Sequence, residues 1–415
     1  MNPVSRRDFL KLSAAASLAA AVAPSFTQAA AAATPARGGT FNRTGKPRLL
    51  LSLAAYSFRE NFPTMRGKPN AKVPAGRGTD LFKFIDYCAA HGCDGAELTS
   101  YFFAEETDAY MIALRRHAFL RGVAVSGTAI GNNFSLPKGP KLTEEIATTK
   151  KWIDRSLLMG AQHIRVFAGN VPKDAANFTR AAADKQVIAA LEECCDYAGK
   201  RGIFLGLENH DSIGSAATLI PMVKAVNSPW IGINLDSGNF RTADPYKDFA
   251  ECVPYALNVQ FKVEIHAGGG NQPADMKRFT KILRDGGYQG WIALEYEAKE
   301  DSAVAVPRYL QEMQALFASF GIAMLIGVLC IYIVLVLLFK GFLHPVTILA
   351  ALPLSMGGAF VALLLTGRAL SMPSMIGLIM LMGIATKNSI LLVDYAILAR
   401  QAGLDRFEAL VDACH

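Results

Sequence analysis

Ile203-Phe204-Leu205-Gly206-Leu207-Glu208-Asn209-His210 and, one helical stretch later, Ile231-Gly232-Ile233-Asn234-Leu235-Asp236-Ser237-Gly238-Asn239 decide the fold. Each is a short apolar run that stops abruptly in acidic and amide residues. Such a run reads as a buried strand of a parallel sheet with its polar groups at the C-terminal end. The same unit recurs outward in both directions. Before the pair lie Leu49–Tyr56, Gly95–Thr99, Val123–Thr128 and His163–Phe167; after it lie Asn258–Ile265 and Trp291–Tyr296. Helix-period sequence follows each run. In Asp80–His91, for example, Leu81, Phe84, Ile85 and Cys88 form one stripe, Asp80 is a capping residue and Gly92 a stop. Eight strand–helix units predict a (β/α)8 TIM barrel in the α/β class. An open doubly wound sheet would need a glycine-rich first turn, which this sequence lacks.

Chemistry in such barrels sits at the C-terminal strand ends, and there the polar residues collect. Glu97 ends the second run and Arg165 lies in the fourth. Glu208 and His210 follow the fifth, Asp236 and Asn239 the sixth. Gln260, Lys262 and Glu264 occupy the seventh, Glu295 and Glu297 the eighth. A charge inside a strand is costly unless paired or bound to a metal, so four consecutive strands ending in oxygen donors point to a site.

Residues 48–316 resemble the xylose-isomerase-like barrel superfamily of sugar isomerases, epimerases and keto-sugar dehydratases. The segments carrying the likeness are Leu207–His210, Asn234–Asn239, Val259–Lys262 and Ala293–Glu295. The resemblance implies one divalent metal ion held by Glu208, Asp236, Gln260 and Glu295. Gln260 stands where the family usually has His. An amide oxygen favours Mn²⁺ or Mg²⁺ over Zn²⁺ or Co²⁺, and His266 would replace it only if the strand ends early. Asn239 stands where several relatives have another His. The expected reaction moves a proton through an enediolate, with Glu208 and Glu295 as the acid–base pair. His210 would bind a hydroxyl or shuttle a proton, and Lys262 would hold a carbonyl or carboxylate oxygen. Glu97, Arg165, Asn239 and His266 are the remaining candidates for contact with a sugar or keto-sugar.

Other readings of the same residues stay open. Glu97 and Arg165 are also the ordinary halves of buried ion pairs, and Glu264 and Glu297 read as solvated or one step removed from an ion. His91, His117 and His163 read as structural. Elimination by a dehydratase or lyase uses the same enediolate, and a non-catalytic sugar-binding barrel is the bland alternative. The long connections Arg59–Thr79 and Gly131–Leu142 are candidate lids. Too few histidines face the site for a multi-zinc endonuclease. Dinucleotide, P-loop and nucleophile-elbow motifs are absent from the sequence.

Both ends of the chain follow other rules. Ser5-Arg6-Arg7-Asp8-Phe9-Leu10-Lys11 precedes an Ala-rich apolar run and resembles a twin-arginine export signal, which implies a periplasmic destination. Of the net charge of +7, residues 1–46 hold +5, so the barrel is near neutral and no nucleic-acid surface is indicated. The seven cysteines show no metal spacing and read as buried small hydrophobes. Phe320–Phe339, Gly341–Gly367 and Ala369–Thr386 are uncharged for 20, 27 and 18 residues, predicting three membrane spans and an inner-membrane anchor in the lipid bilayer. Residues 321–397 resemble part of a resistance–nodulation–division (RND) efflux permease, through Phe339–Pro345, Leu352–Ser355 and Gly383–Asp394. In that family the lysine matching Lys387 works with paired aspartates on another helix, so transport would need partner chains. The expected organisation is a signal at 1–31, a linker at 32–47, the barrel at 48–316, a three-helix permease fragment at 320–398 and a cytoplasmic tail at 399–415. The barrel runs into the first span with no linker, as in a junction of two gene fragments.

Overall fold

The structure is a computed structural model that describes residues 40–71, 73–175, 177–317, 320–339, 342–365 and 372–414. The expected signal segment lies outside them, as do parts of the linker and of the second and third expected spans. Two compact units divide the chain, Met1–Pro307 and Arg308–His415.

Eight parallel strands close the barrel of the first unit: β1 (Arg48–Ala54), β2 (Gly95–Thr99), β3 (Ala124–Ala129), β4 (His163–Val166), β5 (Phe204–Glu208), β6 (Ile231–Asp236), β7 (Ala256–Phe261) and β8 (Gln289–Leu294). Each strand pairs with its sequence neighbours, and β8 closes on β1 from Arg48↔Gln289 to Leu53↔Leu294. A helix follows every strand. Those most useful here are α1 (Leu81–Ala90), α2 (Asp108–Leu120), α3 (Pro140–Met159), α4 (Arg180–Gly199), α5 (Ala216–Ala225), α6 (Pro245–Cys252), α7 (Met276–Asp285) and α8 (Ser302–Phe317).

The local sequence explains each helix. Asp80 accepts the Lys83 amide at 2.9 Å as the cap of α1. Leu81, Phe84, Ile85 and Cys88 are its buried stripe, and Gly92 supplies the φ of +66° needed beyond its end. Burying each such apolar side chain is worth roughly 1.5–3 kcal/mol as an upper bound. Cys88, Cys93, Cys194, Cys195 and Cys252 are free thiols buried in the core.

Two differences from the sequence reading matter. The seventh strand stops at Phe261, and Glu264–Ala267 pairs with Gly270–Pro273 as a separate hairpin. Glu264 and His266 therefore leave the barrel.

In the second unit the expectation of three spans is met in part. Helices cover Phe320–Phe339 and Met372–Gln401; among the described residues one stretch, Met380–Gln401, is long and apolar enough to cross a membrane, and Leu329–Phe339 is a shorter apolar one. The 27-residue uncharged run is not one helix but two, Leu343–Leu349 and Ala351–Leu365. Pro353 has no N–H to continue the ladder back to Leu349, which accounts for a break there. The second piece has 15 described residues, fewer than the about 20 that a core of about 30 Å takes at 1.5 Å per residue. Lys387 is exposed, and among the described residues no ion pair joins it to a carboxylate.

Candidate active site

The parallel register brings the polar strand ends to one level. Glu208 lies beside Asn234, Asp236 beside Gln260, Gln260 beside Ala293, and Glu97 beside Ala54. Glu97, Arg165, Glu208, Asp236, Gln260 and Glu295 are all 5% exposed or less. Six polar groups so deeply buried need partners, and hydrogen bonds and ion pairs join them in three connected groups.

The deepest group is a ring of amides around Glu97. Gln260 Nε2 and Asn258 Nδ2 donate to the two Glu97 oxygens at 2.6 and 2.9 Å. Asn234 Nδ2 donates to Gln260 Oε1 at 2.6 Å, and Asn258 Nδ2 also donates to Asn234 Oδ1 at 2.7 Å. Burial and the nearby Glu295 raise the Glu97 carboxyl to about 7, against which the two amide donors and Arg165 act only in part. Glu97 is thus a structural acceptor inside the barrel rather than a group presented to a sugar.

The second group is the Arg165–Glu208 pair. Arg165 Nε lies 2.8 Å from Glu208 Oε2, and Arg165 Nη1 donates to the Ile130 carbonyl at 2.6 Å. Its guanidinium carbon sits 3.9 Å from the centre of the Phe167 ring. Asn239 Nδ2 donates to the other Glu208 oxygen at 2.9 Å. Burial raises the Glu208 carboxyl to about 7, with Arg165 pulling it down and Glu295 pushing it up. Burial disfavours the Arg165 cation, yet Glu208 holds its pKa above the ordinary range.

The third group is centred on Lys262, just past β7. Its ammonium lies 2.7 Å from Glu297 Oε2, 3.3 Å from Glu295 Oε2 and 3.4 Å from Asp236 Oδ2. Burial alone would lower the Lys262 pKa; Asp236, Glu295 and Glu297 together lift it well above its usual value. Asp236 is pushed well up, burial outweighing Lys262, whereas Glu297, nearer the surface, is held down by Lys262 against burial. Asp236 Oδ1 accepts the Gly238 amide at 2.7 Å, and both amide atoms of Asn209 clamp the Asp236 backbone at 2.8 Å. The last two partners, Glu297 and Asn209, were not among the expected site residues. The alternation Glu295-Tyr296-Glu297 was a usable signal for the first, and the place of Asn209 between Glu208 and His210 at a strand end was one for the second.

Three histidines remain. His210 pairs with Asp211 at 2.9 Å and packs on Phe167, the ring that Arg165 also covers. His266 lies on the hairpin, its Nδ1 3.5 Å from Asn271 Oδ1, so it is neither a substitute ligand nor a group aimed into the barrel. His163 is buried, and burial lowers it to about 4.

The four donors implied by the resemblance do not fit a divalent ion in this arrangement. Both oxygens of Glu208 are engaged by Arg165 and Asn239, and both amide atoms of Gln260 by Asn234 and Glu97. Among the described residues no group of three or more His, Cys, Asp or Glu side chains is spaced to hold a metal ion. Gln260, expected as a ligand, here accepts from the Asn234 amide at its carbonyl oxygen and donates to Glu97 through Nε2.

A family model described as xylose isomerase-like TIM barrel matches residues 85–316, more than half of the chain. The chain belongs to the xylose isomerase-like TIM-barrel family. An AcrB/AcrD/AcrF family model matches residues 308–415, and a twin-arginine translocation signal model matches residues 3–23, which supports export. Among solved structures, the barrel is similar to a 3-keto-D-glucoside 4-epimerase from E. coli in its apo form. That likeness has 15% identity and a TM-score of 0.50, covering 65% of this chain and 100% of that one. A D-psicose 3-epimerase with D-fructose matches at 16% identity and a TM-score of 0.49, over 63% of this chain and 89% of that chain. A xylose isomerase-like protein from Mycobacterium smegmatis in complex with magnesium matches at 18% identity and 0.48, over 66% and 98%. At such identities the likeness concerns the fold alone.

Proposed function

We propose that this chain is an exported sugar or keto-sugar isomerase or epimerase that transfers a proton through an enediolate. Its family, whose similar structures include sugar epimerases, supports an enzyme of this broad kind. The observation that carries the proposal is the convergence of Glu208 and Glu295, from strands three apart, on one buried mouth that also holds two cations, Arg165 and Lys262. A carboxylate beside a carbonyl carbon can take the adjacent C–H proton. The released electron pair forms the C=C bond, and negative charge grows on the carbonyl oxygen, where a fixed cation stabilises it. Return of the proton to the former carbonyl carbon, with the α-hydroxyl proton moving to the former carbonyl oxygen, gives isomerisation; return to the same carbon on its opposite face gives epimerisation.

Glu208, with its carboxyl poised at about 7, is the group able to hold or release a proton near neutrality, as a general acid–base requires. Asn239 and Arg165 fix its orientation. The metal-dependent form of the reaction, expected from the resemblance, is not supported by the donor geometry, and no step here passes through an ion. In the second unit, the one candidate span among the described residues supports a membrane tether as the finer part of the localisation, with the barrel periplasmic.

The test is proton exchange. Incubated in D₂O with a panel of ketohexoses and 3-keto-glycosides, the full chain should incorporate deuterium next to the carbonyl of one of them, read by NMR. Glu208→Gln and Glu295→Gln should each abolish it. Unchanged exchange in both variants refutes the two-carboxylate reading, and a product lighter by one water assigns elimination instead.

A further inference from the structure

The cation position of this site is filled by the protein itself. Of the four donors that the resemblance gathers around a metal, Glu208 is turned to Arg165 and Asn239, and Gln260 to Asn234 and Glu97. The remaining two, Asp236 and Glu295, do face one common point. That point is the Lys262 ammonium, 3.4 and 3.3 Å away, with Glu297 completing the set at 2.7 Å. Asp236 Oδ2 is buried and has no hydrogen bond, so its one compensation is this ion pair.

Nor is the lysine a surface side chain that has folded inward. Its side chain is 12% exposed. Its backbone amide donates to Ser237 Oγ at 2.9 Å, while the Ser237 amide donates to the Gln260 carbonyl at 2.9 Å. Gly238 leaves the room for its stem: a Cβ there would fall 2.8 Å from Lys262 Cδ, 2.9 Å from Lys262 Cβ and 2.7 Å from the Glu264 carbonyl. The turn after β6 is therefore shaped around this side chain. Lys262 and Glu297 also line a cavity of about 120 Å³ with Asn239 and Arg241, so the side chain that meets the buried carboxylates also borders open space.

We infer that Lys262 is the resident cation of the site and takes the electrophilic role that a divalent metal plays elsewhere in the fold. The inference rests on the proton-transfer reading above and deepens it. Glu208 or Glu295 removes the proton α to a substrate carbonyl as its carboxylate becomes the acid. The C–H pair becomes the C=C bond, and the carbonyl oxygen takes up the negative charge, held by a hydrogen bond from the Lys262 ammonium. In isomerisation the same acid returns the proton to the carbonyl carbon; in epimerisation the opposite carboxyl, protonated at the start, supplies it, so charge and atoms balance with no co-reactant. One ammonium gives one strong hydrogen bond, not bidentate chelation of two vicinal oxygens, so substrates presenting a single activated carbonyl, such as 3-keto-sugars, fit it better than open-chain aldoses.

Metal content tests this without any assay of turnover. The full-length protein, dialysed against micromolar Mn²⁺, should retain well below one Mn²⁺ per chain by mass spectrometry and show no saturable Mn²⁺ signal by EPR titration. Lys262→Met, which strips the cation from Asp236, Glu295 and Glu297, should bind Mn²⁺ at least about tenfold more tightly, since uncompensated buried carboxylates recruit a counter-ion. One tightly bound Mn²⁺ per wild-type chain overturns the inference, and so does a folded Lys262→Met that gains no affinity. If Lys262→Met does not fold, the wild-type measurement still decides. Loss of the deuterium-exchange result would sink the enzymatic reading and leave this ion measurement standing.

Discussion

Replacing Arg165 by Met removes the one full cation from Glu208 while keeping most of the side-chain stem. Glu208 is 3% exposed, and its Oε2 loses a partner at 2.8 Å; Asn239 still serves Oε1. Deleting one member of a buried ion pair costs about 3–5 kcal/mol because the survivor is left charged and desolvated. The Ile130 carbonyl, which accepts from Arg165 at 2.6 Å, adds about 1 kcal/mol if water does not reach it. The loss should depend on pH. Arg165 pulls the Glu208 carboxyl down, and even so it sits at about 7; without Arg165 it rises further and is mostly protonated at pH 6. Denaturant unfolding of the full chain should therefore show a loss of about 4 kcal/mol at pH 8 and a clearly smaller one at pH 6. Adding Glu208→Gln should recover at least half of the pH 8 loss, because the stranded charge is then gone. A loss under about 1 kcal/mol at pH 8, or no recovery in the double variant, would refute the claim that the two groups form one buried pair.

Other perturbations report on neighbouring parts of the site. Glu97 has a folded pKa of about 7 against an ordinary 4.5, so its contribution to stability is fully present below pH 4.5 and is lost as pH rises through 7. Between pH 4 and 8 that amounts to about 3 kcal/mol, and Glu97→Gln should flatten the pH profile of unfolding by about this much; a parallel profile would show that Glu97 is already ionised without cost. Asn209→Ala strands the backbone N–H and C=O of Asp236, both clamped at 2.8 Å, and should cost roughly 2–4 kcal/mol; the melting temperature should fall while the circular dichroism stays that of a barrel. At Gly127 a Cβ would lie 2.2 Å from His163 Cε1, so Gly127→Ala should destabilise by roughly 1–3 kcal/mol, and a companion His163→Ala should relieve most of it.

The sequence by itself determined the architecture and the strand ends at which the buried polar groups gather. Apolar runs such as Ile203–Glu208 and Ile231–Asp236, each followed by a helical period, can bury both faces only in a parallel sheet walled by helices, and eight of them close. Because side chains alternate along a strand, an acid at a strand's last residue must point into the mouth or away from it, and Glu208, Asp236 and Glu295 were legible on that ground. What the sequence could not give is which atom each polar group spends on which neighbour. The Asn234–Asn258–Gln260 ring around Glu97 depends on a one-residue register shift between Ile233 and Asn234, which no local pattern encodes. That register turns Gln260 from a candidate ligand into a committed amide. It also leaves Lys262, two residues on and just past the strand end, to reach Asp236 and Glu295. Hydropathy likewise marked where the second unit is apolar, but Pro353, acting through the backbone ladder, bears on how that stretch divides into helices. Composition and period are properties of a segment; the partner of a buried charge is a property of the closed barrel.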